Sequence, residues 1–294
     1  LRQANFKGLI LSRGGKTSHA VILAQSFEIP TVIRASDAVE RIAEGESLIV
    51  DGSSGLIFRS PPEEIQAEYE RLAREHQRLD HERETLASQP AQTADGTSLA
   101  LGGNISMVSD LELVKKYGAD HIGLYRTEFP FVIRGSVPSE QDQTELYTRI
   151  LEAAQGRTVC FRTLDVGGDK LLTSLDYPDE DNPNLGWRAI RVSLELEDVF
   201  RAQIRAVLRA SVQGPIKLMF PMITTRKELQ QAVTVVEEEK AALFRAGVPF
   251  AESIPLGMMI EVPGTVGLLP HLLDLVDAQR AADLETGMLP ERAD

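Results

Sequence analysis

Hydrophobic positions follow three regimes along the chain. Up to about residue 59 they come in short runs. Gly8-Leu-Ile-Leu11, Thr31-Val-Ile33 and Ser47-Leu-Ile-Val50 predict buried strands, and Leu56-Ile-Phe58 predicts a fourth after the turn Asp51-Gly-Ser-Ser-Gly55. A helix from His19 to about Gln25, apolar at Val21, Ile22 and Leu23, separates the first two, giving a small α/β module. Beyond Pro61-Pro62, Ile65, Leu72, Leu79 and Leu86 recur at heptad spacing among Glu64, Glu68, Arg71, Arg74 and Arg83, which predicts a long helix over 63–88. His76 and Arg83 interrupt the second seam position, so a solvated connecting helix is favoured over a dimerising coiled coil.

From about residue 97 strands and helices alternate. Leu99–Ile105, His121–Tyr125, Thr158–Phe161, Ile216–Phe220 and Leu256–Ile260 read as strands, with helices near 109–117, 140–154, 197–211, 225–245 and 265–276. Continuous apolar strands in this alternation predict a parallel sheet covered on both sides. The chain length per unit suits a (β/α) barrel of TIM type, incomplete here because five units are visible where eight are needed. The expected domains are 1–59, a helical linker at 60–92, and the barrel segment at 93–294.

Composition narrows the classes. With 294 residues, 43% hydrophobic and 26% charged, wholesale disorder is excluded. A formal charge of −13 argues against a general nucleic-acid binder. No apolar run reaches the roughly 18 residues of a membrane span, so membrane insertion is not expected. The single cysteine, Cys160, excludes an intramolecular disulfide, fits a reducing cytoplasm and reads as a buried apolar residue within a strand. Leu1 rather than Met opens the sequence, and Leu289-Pro-Glu-Arg-Ala-Asp294 follows no strand pattern, so a segment of a longer protein is expected.

Gly14-Gly-Lys-Thr-Ser-His19 is the sharpest local motif. A helix N-terminus there would keep the His19 imidazole neutral and nucleophilic, then stabilise a phosphoryl group placed on it. A phosphate-cradling P-loop is rejected, because Ile10 stands where that motif needs glycine. A capping turn with an incidental histidine accounts for the same residues equally well. Arg126, Arg162 and Glu261 follow predicted barrel strands, whose C-terminal ends converge on an active-site mouth. Two guanidiniums and a carboxylate there can hold an anionic phosphate and a divalent metal. Both arginines are expected outside the core, so that replacing either should spare folding. Gly167-Gly-Asp-Lys170 reads as a turn, Trp187 as packing within a long insertion, and His76, His81, His121 and His271 as structural.

Taken together, five stretches resemble the Enzyme I family, the phosphoenolpyruvate–protein phosphotransferases of the sugar phosphotransferase system. They are Gly14–Ala24, Gly123-Leu-Tyr-Arg-Thr-Glu-Phe129, Arg162-Thr-Leu-Asp-Val-Gly-Gly-Asp-Lys170, Asn182–Arg191 and Gly257-Met-Met-Ile-Glu-Val-Pro263. Pro130-Phe131 and Pro138-Ser-Glu140 resemble its nitrogen-related branch. The resemblance implies that residues 1–59 are part of a swivelling phosphohistidine domain, with His19 as phosphoryl acceptor. It implies that Arg126 and Arg162 bind the phosphate of phosphoenolpyruvate, that Glu261 binds Mg²⁺, and that a small histidine phosphocarrier protein is the next acceptor. A homodimer is implied for the full-length protein. The second metal carboxylate and the proton-donating cysteine of the family have no counterpart in this sequence, so the 294 residues alone are expected to be inactive. Two alternatives remain: a pyruvate phosphate dikinase or phosphoenolpyruvate synthase segment, and a non-catalytic regulatory protein with the same fold.

Overall fold

The computed structural model describes residues 6–15, 20, 21, 24, 29–134, 136–167 and 180–276. The chain divides into two compact units, residues 1–89 and 90–294.

In the first unit β1 (Leu9–Ile10) pairs in parallel with β2 (Thr31–Val32), and β3 (Leu48–Asp51) forms an antiparallel hairpin with β4 (Leu56–Arg59). A short helix, α1 (Ser36–Arg41), lies between them in sequence and was not legible from the pattern. The Asp51 carboxylate closes the hairpin turn, accepting from the Ser54 hydroxyl at 2.6 Å and from the Ser53 and Ser54 amides at 2.9 and 3.1 Å. It also accepts from the Tyr69 hydroxyl at 3.0 Å, which ties α2 (Glu63–Ala87) to the hairpin. The Ser54 bonds lead in pulling the Asp51 carboxyl down to about 2. Helix α2 has no buried residue, and Leu72, Leu79 and Leu86 are exposed. The predicted helix from His19 to Gln25 lies largely outside the described residues, although Val21 and Ala24 are buried.

The second unit runs β5 (Gly102–Ile105), α3 (Leu111–Lys116), β6 (His121–Arg126), α4 (Glu128–Arg134), α5 (Glu140–Ala154), β7 (Val159–Arg162) and α6 (Ile190–Glu195). It continues through α7 (Glu197–Ala210), β8 (Ile216–Phe220), α8 (Arg226–Arg245), β9 (Leu256–Met258) and α9 (Pro263–Leu268). The five strands are parallel and lie in sequence order. Successive right-handed crossovers advancing in one direction place their helices on one face of a sheet. That face holds the main core, where Ile122, Tyr125, Phe161 and Phe220 meet Ile150 of α5, Ile204 of α7 and Val236 of α8. On the other face Leu124, Cys160, Met219 and Met259 form a separate buried cluster that no helix residue joins. Among the described residues the helices therefore cover one face, which corrects the expectation of cover on both. The period of two along each strand produces this split, with Leu124, Cys160 and Met219 alternating against Tyr125, Phe161 and Phe220.

The long helices begin where their caps dictate. Ser139 accepts from the Asp142 amide at 3.1 Å, and Asp142 returns a bond to the Ser139 amide, opening α5. Thr225 and Glu228 make the same reciprocal pair at the start of α8.

Candidate functional site

Arg126 and Arg162 are the last residues of β6 and β7, and the sheet register sets them directly beside each other. Parallel neighbours in register project their side chains to the same face. Two guanidiniums therefore project from neighbouring positions at the C-terminal edge.

Their surroundings differ. Arg126 is exposed, and its guanidinium has no hydrogen-bond or ion-pair partner among the described residues. Arg162 is only 5% exposed. Its Nη2 donates to Glu128 Oε1 at 2.7 Å and lies 3.1 Å from Asp165 Oδ2. Asp165 in turn accepts from Arg188 through both carboxylate oxygens, at 2.9 and 3.2 Å. Arg162 Nη1 reaches Met259 Sδ at 3.5 Å, a weak acceptor, while its buried Nε–H has no partner. The expectation that Arg162 stands outside the core is thus corrected. It is a buried, ion-paired side chain with donor capacity left over.

The backbone beneath Arg162 is held by polar side chains. Its carbonyl accepts from the Thr127 hydroxyl at 2.8 Å, and Thr127 accepts from Gln203 Nε2 at 3.1 Å. Gln203 Oε1 accepts from the Leu164 amide at 2.8 Å, fixing the chain on the other side of the arginine.

Glu261 lies just beyond β9, at the same edge but two strands from Arg162. Its side chain is exposed, and Oε1 accepts from the Met222 amide at 2.7 Å. Met222 has φ of 56° and Ala189, which precedes α6, has φ of 53°. Such conformations cost about 1–3 kcal/mol each in non-glycine residues and persist where the surroundings over-determine them. Ala189 adjoins Arg188, and Met222, in the loop after β8, supplies the amide that holds Glu261. Gly167 has φ of 112°, and a Cβ there would come within 2.6 Å of the Trp187 carbonyl, so the loop after β7 needs glycine to pass the Trp187 segment. Trp187 packs against the cluster of Phe131, Leu164, Val166 and Val192, as its packing role anticipated.

His19 lies outside the described residues, as do Lys16, Thr17, Ser18 and Gln25 of its motif and Gly168-Asp169-Lys170 of the loop after β7. Gly14 at the start of the motif is described and has φ of 127°, a backbone conformation suited to glycine. The structure therefore brings Arg126 and Arg162 together and puts Glu261 on the same edge. Sequence reasoning missed the partners Glu128 and Asp165. A carboxylate two or three residues beyond each strand-end arginine is the signal that was there to be read.

Fold and strand-end side chains together define a parallel α/β protein with adjacent arginines at the C-terminal sheet edge. Residues 80–279 match the family described as PEP-utilising enzyme, PEP-binding domain, and residues 1–55 match PEP-utilising enzyme, mobile domain. The chain belongs to the PEP-utilising enzymes. It is 42% identical over 277 residues to the phosphoenolpyruvate-protein phosphotransferase of Staphylococcus carnosus, an overlap of 94% of this chain and 48% of the relative. The protein of the same name from Geobacillus stearothermophilus gives the same identity and coverage. That of Lactococcus lactis subsp. lactis is 41% identical over 273 residues, 92% of this chain and 48% of the relative. The chain thus spans about half the length of the curated relatives it matches. These similarities bear out the Enzyme I resemblance. No helix among the described residues is long and apolar enough to cross a membrane.

Proposed function

We propose that this protein is a phosphoenolpyruvate-dependent protein phosphotransferase, moving the phosphoryl group from phosphoenolpyruvate to His19 and on to a small histidine phosphocarrier protein. The observation that carries this reading is the in-register pair Arg126 and Arg162 at the C-terminal sheet edge. Arg126 offers an unpaired, exposed guanidinium, and Arg162 offers a guanidinium already oriented by Glu128 and Asp165. Together they would grip the phosphate and spread its charge as it leaves enolpyruvate. The bridging P–O bond would break as a P–N bond forms to a neutral His19 nitrogen, leaving the enolate of pyruvate. The strands after β9 would complete a (β/α)8 barrel of TIM type, with residues 1–59 as the swivelling phosphohistidine domain and 60–92 as its linker.

Among the described residues no three His, Cys, Asp or Glu side chains form a metal cluster. Glu261 nonetheless fits one ligand position for Mg²⁺, an ion that usually takes one or two carboxylates plus substrate phosphate and water. Its exposed carboxylate is oriented by the Met222 amide through a single oxygen. Bound Mg²⁺ would supply charge neutralisation at the phosphate. The same reading carries a homodimer and a cytoplasmic location, with which the single Cys160 agrees.

The test is to incubate the full-length protein with labelled phosphoenolpyruvate and Mg²⁺. Label on protein that is stable to base and lost in mild acid marks a phosphohistidine, and His19→Ala should abolish it. Persistent labelling of that variant overturns the assignment.

A further inference from the structure

Helix α7 brings one polar side chain, Gln203, to the strand ends that carry the two arginines. The ladder between β6 and β7 ends at the pair Arg126 and Arg162. Past that point a side-chain bridge takes its place. Gln203 Nε2 donates to the Thr127 hydroxyl at 3.1 Å, and that hydroxyl donates to the Arg162 carbonyl at 2.8 Å. Gln203 Oε1 accepts from the Leu164 amide at 2.8 Å. One amide group thus holds the residue after Arg126, the carbonyl of Arg162 and the residue two beyond it.

The amide fits only one way round. The other Nε2 proton goes to the Tyr147 hydroxyl at 3.3 Å, which itself donates to Gln143 Oε1 at 3.0 Å. Both hydroxyls commit their single proton elsewhere and can only accept from Gln203, while the Leu164 N–H needs an oxygen. Burial pushes the Tyr147 phenol far up, so it keeps its proton. Gln203, Thr127 and Tyr147 are all buried, and a fully satisfied buried network rigidifies what it holds. The neighbours of Gln203 on α7, Phe200, Ile204 and Val207, are apolar core residues, so helix packing alone does not ask for an amide there.

We infer that Gln203 is a positioning residue for phosphate binding, fixing the spacing and direction of Arg126 and Arg162 by clamping the backbone from which both project. The inference rests on the phosphotransferase reading above. Gln203 acts from behind the sheet. Phe161 points into the helix-covered core, and Arg162, next along the strand, reaches Met259 on the opposite face.

The test is the rate at which labelled phosphoenolpyruvate phosphorylates His19 in the full-length protein with Mg²⁺, measured across phosphoenolpyruvate concentration and pH. Gln203→Met keeps the length of the side chain and removes its hydrogen bonds. It should raise half-saturation about tenfold, part of the roughly hundredfold that a misplacement near 1 Å can cost. A variant that merely folded poorly would take up less label at the end point and keep the wild-type half-saturation. Gln203→Glu adds a pH readout. Its neutral carboxyl can still accept from Leu164 and donate to Thr127, and burial favours that form. The ratio of its half-saturation to wild type should stay near unity in acid and climb as pH rises and the carboxylate forms. Wild-type half-saturation in Gln203→Met, or a ratio for Gln203→Glu that does not move with pH, overturns Gln203 as a positioning residue. A wild type that takes no label overturns the phosphotransferase reading and this inference with it.

Discussion

The second unit contains two arginine–carboxylate networks. The outer one joins α5, α7 and α8. Arg205 bridges Glu140 at 2.7 Å and Glu239 at 3.0 Å, Arg201 also holds Glu239, and Arg209 also holds Glu140. Each of these guanidiniums is a quarter to a third exposed and bonds two or three side chains. The inner network, at the sheet edge, is nearly sealed from solvent, yet Arg162 keeps an unpaired Nε–H and its neighbour Arg126 has no partner at all among the described residues. The outer network ties helices together. The inner one withholds part of its bonding capacity, at a desolvation cost that helix packing does not require.

The widest gap between the two should open on removing Arg162. Arg162→Met leaves Glu128 and Asp165 without their shared cation, and a loss near the lower end for breaking a buried pair, about 3 kcal/mol, is expected because Asp165 keeps Arg188. Urea denaturation measures it. A loss under about 1 kcal/mol would show that the buried network adds nothing to folding.

Arg126→Ala should separate binding from stability. The exposed side chain makes no described contact to lose, so the melting temperature should hold. Affinity for phosphoenolpyruvate should fall by about 2 kcal/mol, the worth of a charge-assisted bond. Isothermal titration of the variant beside wild type decides it, and equal affinities would make Arg126 a bystander.

In the outer network Glu239→Gln should cost about 1 kcal/mol of stability and leave phosphoryl transfer untouched. A matching fall in transfer rate would mean that the two networks are coupled.

The smallest effect concerns acid. Burial alone would raise Glu140, but hydrogen bonds from Arg205 and Arg209 outweigh it and hold the carboxyl below 4.5. A lowered carboxyl in the folded state adds stability above its unfolded value and loses it as pH falls through the folded one. Glu140→Gln should therefore flatten the stability curve below about pH 4.5. If the variant's curve parallels wild type there, the arginines are not holding Glu140.

Helix boundaries were legible wherever the cap was local in sequence. Ser139 with Asp142 and Thr225 with Glu228 start α5 and α8 close to the expected positions. α4 escaped because Pro130 sits inside its short span, and α6 because it follows the unusual backbone at Ala189. The helix expected over 265–276 is shorter, since α9 ends at Leu268 and gives way to a tighter turn around Pro270. The candidate arginines could be read from strand phase alone. The burial of Arg162 could not, because Glu128 reaches it from 34 positions away in the chain. The carboxylates just beyond each arginine are local signals, but that Glu128 meets Arg162 follows from the pairing of β6 with β7.

Sequential strand order has a kinetic consequence. Each strand from β6 to β9 pairs with the one made just before it, so the sheet can grow in the direction of synthesis without waiting for a distant partner. The exception in scale is the excursion from Arg162 to Ile216, the longest between neighbouring strands of this sheet. Closing it costs about 1 kcal/mol more chain entropy than closing the short excursion from Ile105 to His121. Until β8 arrives, the free edge of β7 is exposed to other chains. The β7-to-β8 step is where a ribosome-bound nascent chain would most need protection from aggregation.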